Sequence, residues 1–168
     1  MTKIISAFPA LGKTTLTKNN KEIFLDYELY ESRATIGLSE ANKKLFFENC
    51  AKNLKLIYDS NFYKAIFITD DDRFLFELQK LGLDIIHVLP DVNNSKNLEE
   101  YKSRVIKRSG QDWFDRVLKN DMDALSDKVK RLTETNEEVY FVKPGLYLED
   151  LVPELNDCKK PFNFEKFL

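Results

Sequence analysis

The chain has 168 residues, 43% hydrophobic and 12% aromatic, which is enough apolar material for one ordinary domain with a substantial core and too little length for two. Its 26 basic and 28 acidic residues leave a net charge of −2. No global field therefore argues for nucleic acid or an anionic membrane, and the apolar content excludes intrinsic disorder. Two cysteines, Cys50 and Cys158, make neither a disulfide scaffold nor a zinc site, and a single histidine leaves His87 as the one route to Ser-His-Asp or His-metal chemistry.

The N-terminus enters a short apolar run, Ile4-Ile5, far below the length of a signal segment or a membrane span, so the expected location is the cytoplasm. No linker, low-complexity tract or long repeat interrupts the chain, and the expected organisation is one domain over 1–152 with a tail over 153–168. Five β-branched or aromatic-rich runs recur at Lys3 to Ser6, Ile23 to Asp26, Ala65 to Thr69, Ile85 to Leu89 and Val139 to Val142. Runs of this length suit buried parallel strands. Between the second and third, Ser39 caps a helix whose Phe46, Phe47, Cys50, Leu54, Ile57 and Tyr58 share one face. Asp72 to Leu81 carries Phe74, Leu75, Leu78 and Leu81 before Gly82 ends the helix. Asp112 opens a longer helix through Trp113, Phe114, Val117, Leu118, Met122, Leu125, Val129 and Leu132. The alternation predicts an α/β sandwich around a mainly parallel sheet.

Ala7-Phe8-Pro9-Ala10-Leu11-Gly12-Lys13-Thr14 fits the phosphate-loop pattern [AG]-x-x-x-x-G-K-[ST]. Successive backbone N–H groups opening onto a helix N-terminus wrap a phosphate chain. Lysine supplies a point charge to the β and γ phosphates, and the threonine hydroxyl ligates Mg²⁺. Gly12 stands where the backbone must approach phosphate without a Cβ. This chain's composition yields only about 0.004 such matches by chance, and this one follows a predicted strand and opens a predicted helix. Pro9, Ala10, Leu11, Gly12, Lys13, Thr14 and Thr15 are the expected nucleotide-binding residues, with Ala7 in a slot where glycine would allow more φ freedom.

Ile4 to Thr15 resembles the opening of the P-loop kinases of the nucleoside monophosphate kinase type. Further strings extend the likeness: Ser6-Ala7-Phe8-Pro9, Asp26-Tyr27-Glu28, Val88-Leu89-Pro90-Asp91, Glu100-Tyr101-Lys102-Ser103-Arg104 and Lys143-Pro144-Gly145-Leu146-Tyr147-Leu148. Together they look like small P-loop proteins of phages and low-GC bacteria described as nucleotide kinases or ATPases. The resemblance implies a three-layer α/β/α P-loop fold, a five-stranded sheet in the order 2-3-1-4-5, and ATP and Mg²⁺ as cofactors.

The resemblance also assigns roles. An acid ending the strand beside the phosphate loop helps hold Mg²⁺ with Thr14, which points to Asp70, with Asp71 close behind; Asp70 to Asp72 could equally cap the next helix, and capping is the expected role of Asp72. Arg73 resembles the arginine that places an acceptor phosphate; a solvated helix arginine is the alternative. Tyr101 to Arg108 contains four basic residues and no acid, and it resembles a kinase lid over about 96–112. There Arg104 and Arg108 would neutralise the transferring phosphoryl, with Lys13 as the third catalytic residue and Gly110 as a hinge. A basic solvated helix end is the competing reading. From the residues themselves, Asp26 and Glu28 follow the second strand at the carboxyl edge where open α/β sheets bind ligands, and Arg33 could reach an acceptor phosphate. Both could also be plain loop residues.

The remaining candidates read as packing. His87 sits in an apolar strand and is expected to be a satisfied core residue. Cys50 and Cys158 are expected to be unreactive, Trp113 to pack, and Lys143-Pro144-Gly145 to form a turn. The tail from Lys159 to Leu168, with Phe162, Phe164 and Phe167, folds back or docks on another subunit. These features predict ATP- and Mg²⁺-dependent phosphoryl transfer to a small acceptor, first a nucleoside or deoxynucleoside monophosphate, with no membrane partner and no nucleic-acid stripe. The rival readings are an ATPase that drives a partner, a nucleotide-binding protein without catalysis, and a polynucleotide 5′-kinase.

Overall fold

A computed structural model describes residues 2–29 and 37–151. Arg33, Cys158 and the tail over 153–168 lie outside the described residues. The five expected strands are all present: β1 (Lys3–Ala7), β2 (Phe24–Tyr27), β3 (Ala65–Thr69), β4 (Ile85–Pro90) and β5 (Glu138–Val142). They form a parallel sheet in the order β2-β3-β1-β4-β5. β1, β3 and β4 are buried almost end to end, which is why their sequences run apolar without alternation. β2 and β5 hold the sheet's edges and are only partly buried.

The described residues divide into two units, one from 2–7 and 17–86, the other from 8–16 and 87–151. In the first, β3 pairs in parallel with β1 and β2, with Ala7 opposite Thr69 and Asp26 opposite Phe67. Helices α2 (Glu40–Asp59) and α3 (Asp72–Lys80) pack on a core containing Ile4, Phe47, Leu54, Ile66, Phe74 and Leu78. Each such side chain contributes roughly 1.5–3 kcal/mol on burial. Ser39 accepts from the Asn42 N–H at 3.3 Å and starts α2, as its sequence predicts. Gly82 follows α3 with φ +71°, which a non-glycine residue adopts at a cost.

The second unit contains α4 (Ser95–Ser109), entered from Asn94, whose side chain accepts from the Asn97 N–H at 3.0 Å. The helix expected from Asp112 onward is interrupted. It breaks into α5 (Gln111–Trp113), a π-helical turn (Phe114–Leu118), α6 (Lys119–Asp123) and α7 (Leu125–Glu134). Within the π turn the Lys119 N–H donates to the Phe114 carbonyl, five residues back. Phe114, Leu118, Met122, Leu125 and Leu132 are buried, while Val117, expected on the apolar stripe, is turned to solvent. His87 is a buried core residue, its Nε2 3.0 Å from Glu137 Oε2.

Candidate active site

The phosphate-loop segment follows β1 and ends in α1 (Lys13–Asn19), which starts with the Leu16 N–H donating to the Gly12 carbonyl at 3.0 Å. Within it Ala10 has φ +60° and Gly12 has φ +92°. Two left-handed residues so close together turn the chain sharply onto the helix. Glycine takes such a φ without strain, and Ala10 occupies it as a non-glycine residue, a conformation that costs on the order of 1–2 kcal/mol and is held by its surroundings. Lys13 and Thr14 are half-buried in the first turn of α1 and Thr15 is exposed. That first turn carries no acid of its own.

Four further residues hold this loop from one side. The Tyr101 hydroxyl donates to the Pro9 carbonyl, and the Leu148 N–H donates to the Leu11 carbonyl at 2.9 Å. Phe8 lies against Tyr101, and its N–H donates to the Val88 carbonyl at 3.0 Å. A Cβ on Gly12 would stand 3.2 Å from Cδ1 and 3.3 Å from Cβ of Tyr147. The glycine is therefore required by close packing as well as by its φ.

Arg104 lies on α4 with its side chain nearly buried. It donates to the Leu146 carbonyl at 2.8 Å and to Glu100 at 2.9 and 3.2 Å, and its guanidinium sits 4.6 Å over the Tyr147 ring. Sequence reasoning saw an acid-free basic run in which an anion would be welcome. The anion is Glu100, one turn earlier, just outside that run. Arg108 is exposed near the end of α4. Gly110 has φ +88° and links α4 to α5, its N–H donating to the Ile106 carbonyl at 2.8 Å. Tyr147 follows the turn at Lys143-Pro144-Gly145, where the Leu146 N–H donates to the Lys143 carbonyl at 3.1 Å.

In the other unit, the parallel pairing brings the carboxyl ends of β2 and β3 to one edge, with Asp26 half-buried at one strand end and Asp70 just beyond the other. Glu28 is exposed beyond β2. The cap of α3 is Asp71 and not Asp72, whose side chain follows one residue too late; Asp71 accepts from the N–H groups of Arg73 at 2.9 Å and Phe74 at 3.2 Å. Asp72 is the first helical residue and is exposed. Asp70 is not the cap; its Oδ1 accepts from the Ser6 hydroxyl at 2.8 Å. Ser6 itself is fully buried in β1. Arg73 is exposed on α3, its guanidinium 4.7 Å over the Phe47 ring and 3.5 Å from Asp71.

Sequence reasoning misses two participants, Tyr147 and Tyr101, because nothing in their spacing reveals the loop they touch. In the core of the first unit, Tyr27 stacks on Phe74, donates to the Cys50 carbonyl at 3.1 Å, and has its phenol pKa pushed up to about 12, chiefly by burial and then by Cys50. Among the described residues, no three His, Cys, Asp or Glu side chains gather as a metal cluster, and no helix is long and apolar enough to cross a membrane.

No protein-family model matches the sequence. A small heat shock protein C1 from Rickettsia bellii (strain RML369-C) is 29% identical over 99 residues, 56% of this chain and 59% of that protein's length. The chain thus spans about three-fifths of that relative, at an identity that assigns no family. Among solved structures, an unliganded sugar kinase from Janibacter sp. HTCC2649 superposes with a TM-score of 0.50 at 16% identity, over 93% of this chain and 92% of that one. At this identity the likeness shows a shared α/β fold alone.

Proposed function

We propose that the protein is a phosphotransferase that uses ATP and Mg²⁺ to phosphorylate a small acceptor, with a nucleoside or deoxynucleoside monophosphate as the first acceptor class. The observation that carries this reading is the turn at Ala10 and Gly12 leading directly into Lys13 and Thr14 at the start of α1. Backbone in this conformation, followed by a helix N-terminus without acids, is a cradle for phosphate oxygens. The donor chemistry fits a nucleoside triphosphate with Mg²⁺: backbone N–H groups, one lysine and one threonine hydroxyl. The α/β fold shared with a sugar kinase supports the same reading.

The bound ATP and Mg²⁺ would supply the transferable γ-phosphoryl and the charge neutralisation. Lys13 grips the β and γ phosphates, and Thr14 offers its hydroxyl to the metal. Asp70 is the second metal-side residue, on the strength of the sequence pattern and of Asp71 having taken the capping role. Asp26, Glu28, Arg33 and Arg73 are the acceptor-side residues. Arg108, exposed at the end of α4, carries the lid charge. Catalysis in this scheme is positioning and electrostatic stabilisation, since phosphoryl transfer asks little covalent chemistry of the protein.

The test is an acceptor panel. Purified protein with Mg-ATP is offered nucleoside monophosphates, nucleosides and 5′-hydroxyl oligonucleotides, and ADP formation is compared with acceptor phosphorylation, using Lys13→Ala as the control. Stoichiometric transfer to a monophosphate supports the proposal. ADP formed without acceptor makes the protein an ATPase, labelled oligonucleotide makes it a polynucleotide kinase, and binding without ADP makes it a nucleotide-binding protein.

A further inference from the structure

The loop from Phe8 to Gly12 has two left-handed residues, one of them alanine, and such a conformation persists only where neighbours over-determine it. Besides the Val88 carbonyl of β4, which accepts from the Phe8 N–H at 3.0 Å, the neighbours come from two places. Helix α4 supplies Tyr101 and Arg104, which lie on one face at a spacing of three residues. The turn after β5 supplies Leu146, Tyr147 and Leu148. Arg104 joins the two by donating to the Leu146 carbonyl while its plane covers the Tyr147 ring at 4.6 Å. The ring in turn fills the space that a Cβ on Gly12 would need, its Cδ1 3.2 Å from that position, and the Tyr147 N–H is fixed on Asp150 Oδ2 at 2.8 Å.

We infer that Arg104 and Tyr147 are positioning residues for the nucleotide: a strut that sets the conformation of the 8–12 loop, with Arg104 acting through Tyr147 and Gly12. This inference rests on the phosphate-loop reading and replaces a lid role for Arg104, whose guanidinium is already engaged by Glu100, Leu146 and Tyr147. The chemistry specifies arginine. One planar group must bridge Glu100 and a carbonyl while stacking on a ring, and the point charge of lysine cannot do all three. It specifies an aromatic ring at 147 but no hydroxyl, because none of these contacts uses the phenol oxygen. The strut works in the ground state, so its loss weakens nucleotide binding rather than only the chemical step.

Four variants test it: Arg104→Lys, Tyr147→Ala, the double variant, and Tyr147→Phe. Amide hydrogen exchange over 8–16 is measured without ligand, and Mg-ATP affinity by calorimetry, with turnover on the acceptor that the panel identifies. The strut predicts that Arg104→Lys and Tyr147→Ala each speed exchange in this segment and raise the ATP Kd about tenfold, on the scale of a lost cation–π contact and charged hydrogen bond. The double variant is no worse than Tyr147→Ala, and Tyr147→Phe, which keeps the ring, leaves exchange over 8–16 at the wild-type rate. The inference is overturned if exchange over 8–16 is unchanged in Arg104→Lys and Tyr147→Ala. It is equally overturned if Arg104→Lys keeps wild-type ATP affinity and loses only kcat, which would place the arginine on the transferring group. Failure of the wild type to bind ATP would sink the phosphate-loop reading instead, and the exchange data would still decide whether the strut holds the loop.

Discussion

Gly12→Ala probes the loop at its tightest point. Two costs add. An L-residue at φ +92° is strained by on the order of 1–3 kcal/mol. The new Cβ would also meet Tyr147 at 3.2 and 3.3 Å, a few tenths of an ångström inside ordinary contact, and overpacking of this kind costs roughly 1–3 kcal/mol. Tyr147 cannot simply swing away, because one of the two atoms is its own Cβ and its ring is covered by Arg104. Against this, alanine stiffens the unfolded chain and returns about 0.4–1 kcal/mol. The net expectation is a loss of about 1–5 kcal/mol. It is read by urea unfolding followed through the fluorescence of Trp113, the chain's single tryptophan. Adding Tyr147→Ala removes the contact cost and leaves the φ cost, so the two substitutions should couple by about 1 kcal/mol or more. A loss under about 0.5 kcal/mol for Gly12→Ala, or strict additivity in the double variant, would refute the reasoning.

Other expectations follow from the first unit. Asp71→Ala removes the cap of α3 and should cost about 1 kcal/mol, whereas Asp70→Asn, which keeps an acceptor for Ser6, should leave the unfolding midpoint near wild type and lower Mg²⁺-dependent turnover. Phe47→Ala empties a fully buried core site and should cost about 3–5 kcal/mol in chemical denaturation. Because the Tyr27 phenol is raised from 10.0 to about 12 in the fold, the unfolded chain gives up its proton first as pH rises. Stability should therefore be intact below pH 10 and fall between pH 10 and 12. Tyr27→Phe should show a shallower fall across that window, and an identical slope would count against the burial argument.

The strands were legible because burial on both faces writes itself as a continuous apolar run. Ala65 to Thr69 and Ile85 to Leu89 need no partner information to be recognised. Ser39 and Gly82 were legible for the same local reason: a cap and a left-handed stop are decided by residues within one turn. The helix beyond Asp112 was not. A period of 3.6 fits Phe114 to Leu132 roughly everywhere, so the apolar spacing carries no sign of the π turn over Phe114–Leu118. The capping question at Asp70 to Asp72 also had no local answer, because what separates Asp70 from its neighbours is a hydroxyl 64 residues earlier, at Ser6. The phosphate loop itself was read from Gly12, Lys13 and Thr14. The ring that packs on Gly12 arrives from Tyr147, a distance along the chain that no motif spans.

The central claim is that the segment ending in Gly12-Lys13-Thr14 binds the phosphates of ATP. Its most direct test is a calorimetric titration of the full chain with ATP, with and without Mg²⁺, beside Lys13→Ala. The account predicts saturable binding to the wild type that is strengthened by Mg²⁺ and weakened by at least about tenfold in Lys13→Ala, as loss of one charge-assisted phosphate contact requires. Equal affinity in the two proteins, or no binding to the wild type at millimolar ATP, would contradict it.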